Sequence, residues 1–342
     1  MTEKKILSPG KAFLIFGLIF IASIFISFSF GRYPISPGEL IKILFSRILP
    51  IERTWAMEKE TIVFNIRLPR LFLAEVIGAA LAVSGLVMQT IFRNPMVSQD
   101  VLGTSSGAAF GASLALLWQL SYINVSLMAF VFGILAVALV TMISHKMKNN
   151  HVLGLILGGI MVSSLFSSGT SFVKLVADTE NVLPAITYWL MGSLSSYRSS
   201  DLWLVFIVVL ASTIPLVLLS WRLNLLTLNE EEARSLGVNT KRLRLVAIIC
   251  STLLTAASVA VSGMIGWIGL VIPHFTRMLA GNNTRTTIPL SMLLGASFLT
   301  LVDTISRTAT TIEIPLGILT SFVGAPFFLY LILREARKSN EN

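Results

Sequence analysis

Apolar residues in this chain fall in long blocks separated by short charged or turn-forming stretches. Apolar runs almost free of charge lie near positions 12–30, 71–91, 101–118, 124–143, 152–173, 202–220, 244–262, 265–280, 288–302 and 314–333. A hydrocarbon core about 30 Å thick needs ~20 apolar residues per spanning helix, so the pattern predicts an all-α integral membrane protein. It would have about ten transmembrane helices, with both chain ends on one side. The run from Ala12 to Phe30 follows a basic start and in that respect resembles a signal sequence. It is long enough to span and no small-x-small cleavage site follows it, so it reads as a retained first helix. Little chain is left for a soluble domain. Residues 1–342 read as one transmembrane domain, with a long outer segment over 31–66 and a charged insert over 224–242.

Composition agrees with this pattern: 54% of residues are hydrophobic and 13% charged, with a mean hydropathy of +0.82, against ~25% charged in soluble domains. The formal charge of +9 is not a nucleic-acid signature here, because the bases are spread through membrane-flanking loops, where they set orientation. With the N-terminus inside, most Lys and Arg, from Lys4 to Lys338, fall in inner segments. Short outer loops carry only Lys174, Arg198 and Arg307. That asymmetry predicts cytoplasmic termini in a multi-pass protein of the cytoplasmic membrane. The remaining bases lie between Gly31 and Arg70 beside Glu39, Glu52, Glu58 and Glu60. There "ISPGELIKILFSRIL" has apolar residues at helical spacing and predicts an interfacial helix starting at Ser36 and Pro37. Cys250, the only cysteine, excludes an intrachain disulfide.

Sliding the chain against itself aligns Ala82–Gly85 with Ala260–Gly263, both "AVSG", and at the same offset Pro95 with Pro273 and Gly103 with Gly281. An odd number of spans separates the copies, so they would cross the membrane in opposite senses, as in the inverted repeats of many transporters. Gly103, Gly107 and Gly111 recur at four-residue spacing, as do Gly154 and Gly158, the pattern of close helix packing in lipid.

Catalytic constellations are nearly missing. His145, His151 and His274 stand apart from any Cys, Asp or Glu at ligand spacing, so no metal site is expected. The single Gly-Lys pair, Gly10 and Lys11, lacks the upstream glycine of a phosphate-binding loop, so the chain is not expected to hydrolyse ATP or to hold a cofactor itself. Energy would then come from an ion gradient or a partner. Ion-coupled carriers keep ionisable groups in mid-membrane, whereas the acids here stand near helix ends. Glu75 lies about one turn into the second span, and Asp303 and Arg307 form an i, i+4 pair. A relay through Glu75 stays open, but the pattern favours a partner.

The charged insert contains "LNEEEARSLGVNTKR", Leu228 to Arg242. Asn229 can cap a helix, Glu230, Glu231 and Glu232 put negative charge on its first turn, Arg234 comes late, and Gly237 supplies a left-handed stop. Leu228, Ala233 and Leu236 offer a small apolar face, and Asn239 with Thr240 a second start. A connector needs only a few polar residues, so a capped helix facing the cytoplasm reads as a docking surface, with an ordered loop packed on its own subunit as the alternative.

These residues, together with "RLPR" (67–70), "GAALAVSGLVMQTIFRNPM" (78–96), "VLGTSSGAAFGA" (101–112) and "GMIGWIGLVIPHFTRMLAG" (263–281), resemble the permease subunits of binding-protein-dependent ABC importers of the iron-siderophore, haem and cobalamin class. The resemblance runs from about residue 35 to 333. It implies a ten-helix subunit paired with a second copy or relative, two cytoplasmic ATPases carrying ATP and magnesium, and an extracytoplasmic binding protein. Leu228–Gly237 matches the family's coupling loop, with Asn229 where the family usually has glycine. Arg67, Arg70 and Arg307 match arginines that meet glutamates of the binding protein; the alternative is headgroup anchoring. "ITYWLMGSLSS" (186–196) matches a segment near the outer mouth of the pathway, where Tyr188, Trp189 and Met191 would meet substrate, although an aromatic belt also accounts for Tyr and Trp. Helices around Gly103, Gly107, Gly158 and Gly263 would shift during transport. Ferric siderophore leads as cargo, with haem, cobalamin and molybdate-type anions behind. An ion-coupled secondary carrier and a scaffold that carries no solute are the readings from other classes.

Overall fold

The computed structural model describes residues 6–147, 151–195, 197–228 and 230–340, and all regular structure among them is helical. In chain order the helices are α1 (Pro9–Ser29), α2 (Pro37–Phe45), α3 (Met57–Thr61), α4 (Leu68–Ile91), α5 (Thr104–Leu117), α6 (Tyr122–Lys146), α7 (His151–Val176), α8 (Val182–Met191), α9 (Ser199–Leu218), α10 (Ser220–Leu225), α11 (Glu230–Ser235), α12 (Thr240–Ser262), α13 (Ile268–Ala280), α14 (Thr284–Thr308) and α15 (Leu316–Asn340). A helix covers each predicted span, but only seven described stretches are long and apolar enough to cross a bilayer: α1, residues 57–91, α6, α7, α9, α12 and α14. The apolar lengths of α5, α8, α13 and α15 are shorter. A helix the length of α13 rises only about 20 Å, so the chain joining it to α12 enters the bundle.

Burial separates a centre from a lipid-facing rim. The apolar windows of α4 and α12 are 83% and 78% buried, whereas those of α1, α6 and α9 are 28% buried. The central helices approach at backbone distance. A Cβ on Gly78 would strike the carbonyl of Gly295, and one on Gly295 the carbonyl of Gly78. Gly85 meets the backbone of Gly269 in the same way. Without a hydrophobic drive between helices in lipid, such van der Waals contact is what holds them. Buried hydroxyls supplement it, Ser84 Oγ donating to the Ser251 carbonyl at 3.0 Å and lying 2.8 Å from Thr255 Oγ1 across α4 and α12.

The internal repeat exists at the level of elements, not at the residues that suggested it. The helices α4, α5, α6 and α7 have 24, 14, 25 and 26 residues, and α12, α13, α14 and α15 have 23, 13, 25 and 25. The matched residues are not equivalent positions. Ala82–Gly85 lies inside α4 but Gly263 caps the end of α12; Pro95 sits in a loop and Pro273 inside α13; Gly103 starts α5 and Gly281 ends α13. The glycine, alanine and serine matches are of the small residue types that close helix packing uses throughout the bundle.

The segment over 31–66 also differs in part from expectation. Ser36 Oγ accepts from the Glu39 amide at 3.3 Å and the Glu39 carboxylate accepts from the Ser36 amide at 3.4 Å, the capping box that starts α2. Lys59 Nζ donates to both Glu39 oxygens at 2.8 Å, and this bond holds the Glu39 carboxyl below its ordinary pKa. Residues 57–66, however, continue the second span as helix. From Ile62 to Arg67 the turns widen to π-helical, the Leu68 amide reaching back to the Val63 carbonyl. That wider turn admits Pro69, which has no amide to donate, without ending the helix.

Candidate functional site

Two ends of the bundle and the contact between two entering loops gather the polar groups. At one end lies α11. The Val238 amide donates to the Ala233 carbonyl at 3.2 Å, and Gly237 has φ +76°, the six-to-one bond and left-handed residue that close a helix C-terminus. The Asn239 side chain then accepts from the Arg242 amide at 3.1 Å and starts α12. Asn229, the expected cap, lies outside the described residues, as do the side chains of Glu230, Glu231 and Arg234. The predicted apolar face divides. Ala233 is fully buried against its own chain, Leu228 half-buried, and Leu236 57% exposed. Ala233 and Val238 therefore anchor the turn, while Glu232 and Leu236 face outward.

Arg93 gave no signal in the sequence beyond its charge. It follows α4 with φ +51°, and its Nε donates to the Leu226 carbonyl at 2.7 Å, its Nη2 to that of Leu228. One side chain thus joins the end of the central helix α4 to the base of α11. Asn224 of α10 adds a second tie, its Oδ1 accepting from the Thr284 amide at 2.9 Å.

At the opposite end the three predicted arginines come together, but turned inward. Arg67 is buried and donates to the carbonyls of Phe28 and Tyr33, both at 2.5 Å. Arg70 is buried between two acids, pairing with Asp303 at 2.8 Å and Glu313 at 2.9 Å, each through more than one nitrogen. Arg307 donates to Ser27 Oγ at 2.9 Å and lies 3.6 Å from Asp303. Burial alone would raise the Glu313 carboxyl, but the hydrogen bond and charge of Arg70, with Arg32 and Arg307 beyond, outweigh it and hold the group below its ordinary value. A cavity of about 220 Å³ opens here, and Arg32, Arg67, Arg70, Arg307, Asp303 and Glu313 contribute to its wall. Four guanidinium groups face two carboxylates, so the cavity is net cationic. The Arg70 pairs were beyond sequence reading because Arg70 lies 233 residues from Asp303 and 243 from Glu313, whereas the contact of Asp303 with Arg307, at i, i+4, was legible.

Between the ends, the loop after α4 meets the loop after α12. Gln99, fully buried, donates to the Ile265 carbonyl at 3.4 Å, and Gln89 donates to that of Gly269 at 3.1 Å. Backbone without helical bonds survives at membrane depth only where protein satisfies it, and these two amides from the first repeat do so for the second. Trp267, at φ +70°, starts α13 beside them, and its ring packs against Gly324 of α15. The expected pathway residues divide by exposure. Gly103, Gly107, Gly158 and Gly263 are buried at helix contacts, facing Ser163, Phe132, Val140 and Trp189 respectively. Trp189 is half-buried, while Tyr188 and Met191 keep 42% and 38% of their surface exposed. The turn after α8 is tied twice to the second half, the Ser193 amide donating to the Ser262 carbonyl at 2.7 Å and the Leu316 amide to the Gly192 carbonyl at 2.9 Å.

This architecture has known counterparts. The FecCD transport family matches residues 19–334. The chain is 40% identical over 326 residues to the molybdate import system permease protein MolB of Haemophilus influenzae, covering 95% of this chain and 96% of that one. It is 34% identical over 344 residues to the Fe(3+)-citrate import system permease protein YfmE of Bacillus subtilis, covering 98% and 99%. Among solved structures, a chain described as a metal-chelate type ABC transporter in an inward-facing conformation superimposes with a TM-score of 0.86 at 39% identity, over 95% of this chain and 99% of that one.

Proposed function

Because the chain belongs to the FecCD transport family, and so is a multi-pass permease subunit of an ABC importer, we propose that it passes a metal chelate, foremost a ferric siderophore, across the cytoplasmic membrane on work done by a separate ATPase. Two such permeases, the second a copy or a relative, would stand on two cytoplasmic ATPases, with both chain termini on the same side as the ATPases. The observation that carries this reading is α11, closed by a left-handed glycine and bonded through Arg93 to the end of α4. A push on α11 then reaches the buried centre through a charged hydrogen bond and not through a slack connector.

On the far side, an extracytoplasmic binding protein would dock over the net cationic cavity. Arg70 is held by its own acids and positions the site, while the uncompensated charge of the cluster attracts acidic side chains of the partner. Tyr188 and Met191 supply the exposed surface of α8 that cargo would meet. The test is uptake into vesicles containing the permease and its ATPase, with binding protein outside and ATP inside, using radiolabelled ferric siderophore. Uptake requiring all three components supports the proposal, and accumulation by the permease alone under an imposed ion gradient refutes it. A second cargo has its own support, since one relative, 40% identical over 95% of this chain, is a molybdate import system permease protein. Labelled molybdate in the same vesicles separates the two.

A further inference from the structure

We infer that the cavity between α6, α7 and α12, at the α11 end of the bundle, is a binding site for the headgroup of an anionic phospholipid. The cavity measures about 540 Å³, and His145, His151, Lys241, Arg242 and Arg244 reach it from three helices. None of the described residues lining it is acidic. The bases lie in the last turn of α6, the first turn of α7 and the first two turns of α12, near the ends of spanning helices. His145 and His151 stand edge to face with ring centres 5.9 Å apart. Ser144 fixes the start of α7, its Oγ donating to the His151 carbonyl at 2.8 Å. Leu155, Leu245 and Ile248 form the apolar part of the wall, with Thr141 and Ser144 beside them. At 1.5 Å per residue, Ile248 lies about 10 Å deeper than Lys241 along α12. Cationic groups at the interface with apolar walls one to two turns below match a phosphodiester above its acyl chains, the arrangement that basic pockets between spanning helices use for acidic lipids. A free oxyanion would need the bases but not the apolar floor. The site is next to the turn Gly237–Lys241, so an occupying lipid would brace the start of α12 directly after α11.

The test uses the purified full-length chain in neutral detergent. Short-chain phosphatidylglycerol, phosphatidylcholine and inorganic phosphate are each titrated while thermal stability and retained adducts in native mass spectrometry are read. Phosphatidylglycerol is expected to bind and stabilise, with the other two much weaker. The pair Lys241→Gln and Arg242→Gln should weaken that binding roughly 25-fold, about fivefold for each base at ~1 kcal/mol. Both side chains are exposed, so the variant is expected to fold. Arg285→Gln, an exposed base outside the cavity, serves as control and should change nothing. Equal effects of phosphatidylcholine, an equal shift by phosphate alone, or undiminished binding in the double variant would each overturn the inference.

Discussion

Replacing Gly237 by alanine isolates the cap of α11 from every other contact. The residue has φ +76°, and among the described residues a Cβ there would meet no atom within 4 Å, so the substitution adds no packing clash with them. What it adds is the cost of holding an L-residue in the left-handed region, about 1–2 kcal/mol. Asparagine tolerates that region better, so Gly237→Asn should cost less. A helix as short as α11 has little stability of its own, and the loss falls on the local opening of residues 230–238. At the lower limit of ~1 kcal/mol, opening becomes about fivefold more frequent. Hydrogen–deuterium exchange in lipid nanodiscs should show that increase at the amides of Leu236 and Val238, with the spanning helices unchanged. ATPase co-purification and ATP-driven uptake should decline in the order Gly, Asn, Ala at equal membrane levels. If exchange quickens in the alanine variant while uptake stays at the wild-type rate, an ordered α11 is not what conveys work. If exchange does not change at all, the argument from backbone strain is wrong.

Arg70→Ala should destabilise the protein by at most about 3–5 kcal/mol, because it leaves buried Asp303 with only Arg307 at 3.6 Å and removes the Arg70 bonds of half-buried Glu313; adding Asp303→Asn and Glu313→Gln should recover much of the loss, as read by thermal unfolding in detergent. The depressed Glu313 carboxyl contributes stability that is fully present above its unfolded pKa of about 4.3 and disappears as pH falls through the lower folded value; Glu313→Gln should flatten the decline in melting temperature below about pH 5. Arg93→Gly keeps the left-handed turn but removes both bonds to the base of α11, and should cut transport at least about fivefold while ATPase binding persists; undiminished transport would show that α4 receives its motion by another route.

Membrane class, the approximate positions of the helices and the existence of α2 and α11 are written in the sequence because each depends on neighbours a few residues apart. Apolar run length sets the spans, Ser36 with Glu39 sets a helix start, and Gly237 sets a helix stop. Asp303 and Arg307, four residues apart, could be paired from the sequence, but the tertiary structure alone decided which distant charges meet. The Arg70 pairs, the reach of Arg93 to Leu226 and Leu228, and the Gln99 bond to Ile265 join residues more than a hundred positions apart, and no spacing rule along a chain encodes such contacts. It also turned Arg67 and Arg70 from exposed into buried groups and showed the repeat to be one of helix lengths. In lipid, where apolar side chains have no preferred partner, close packing and buried polar bonds select the arrangement of helices, and both belong to the folded bundle.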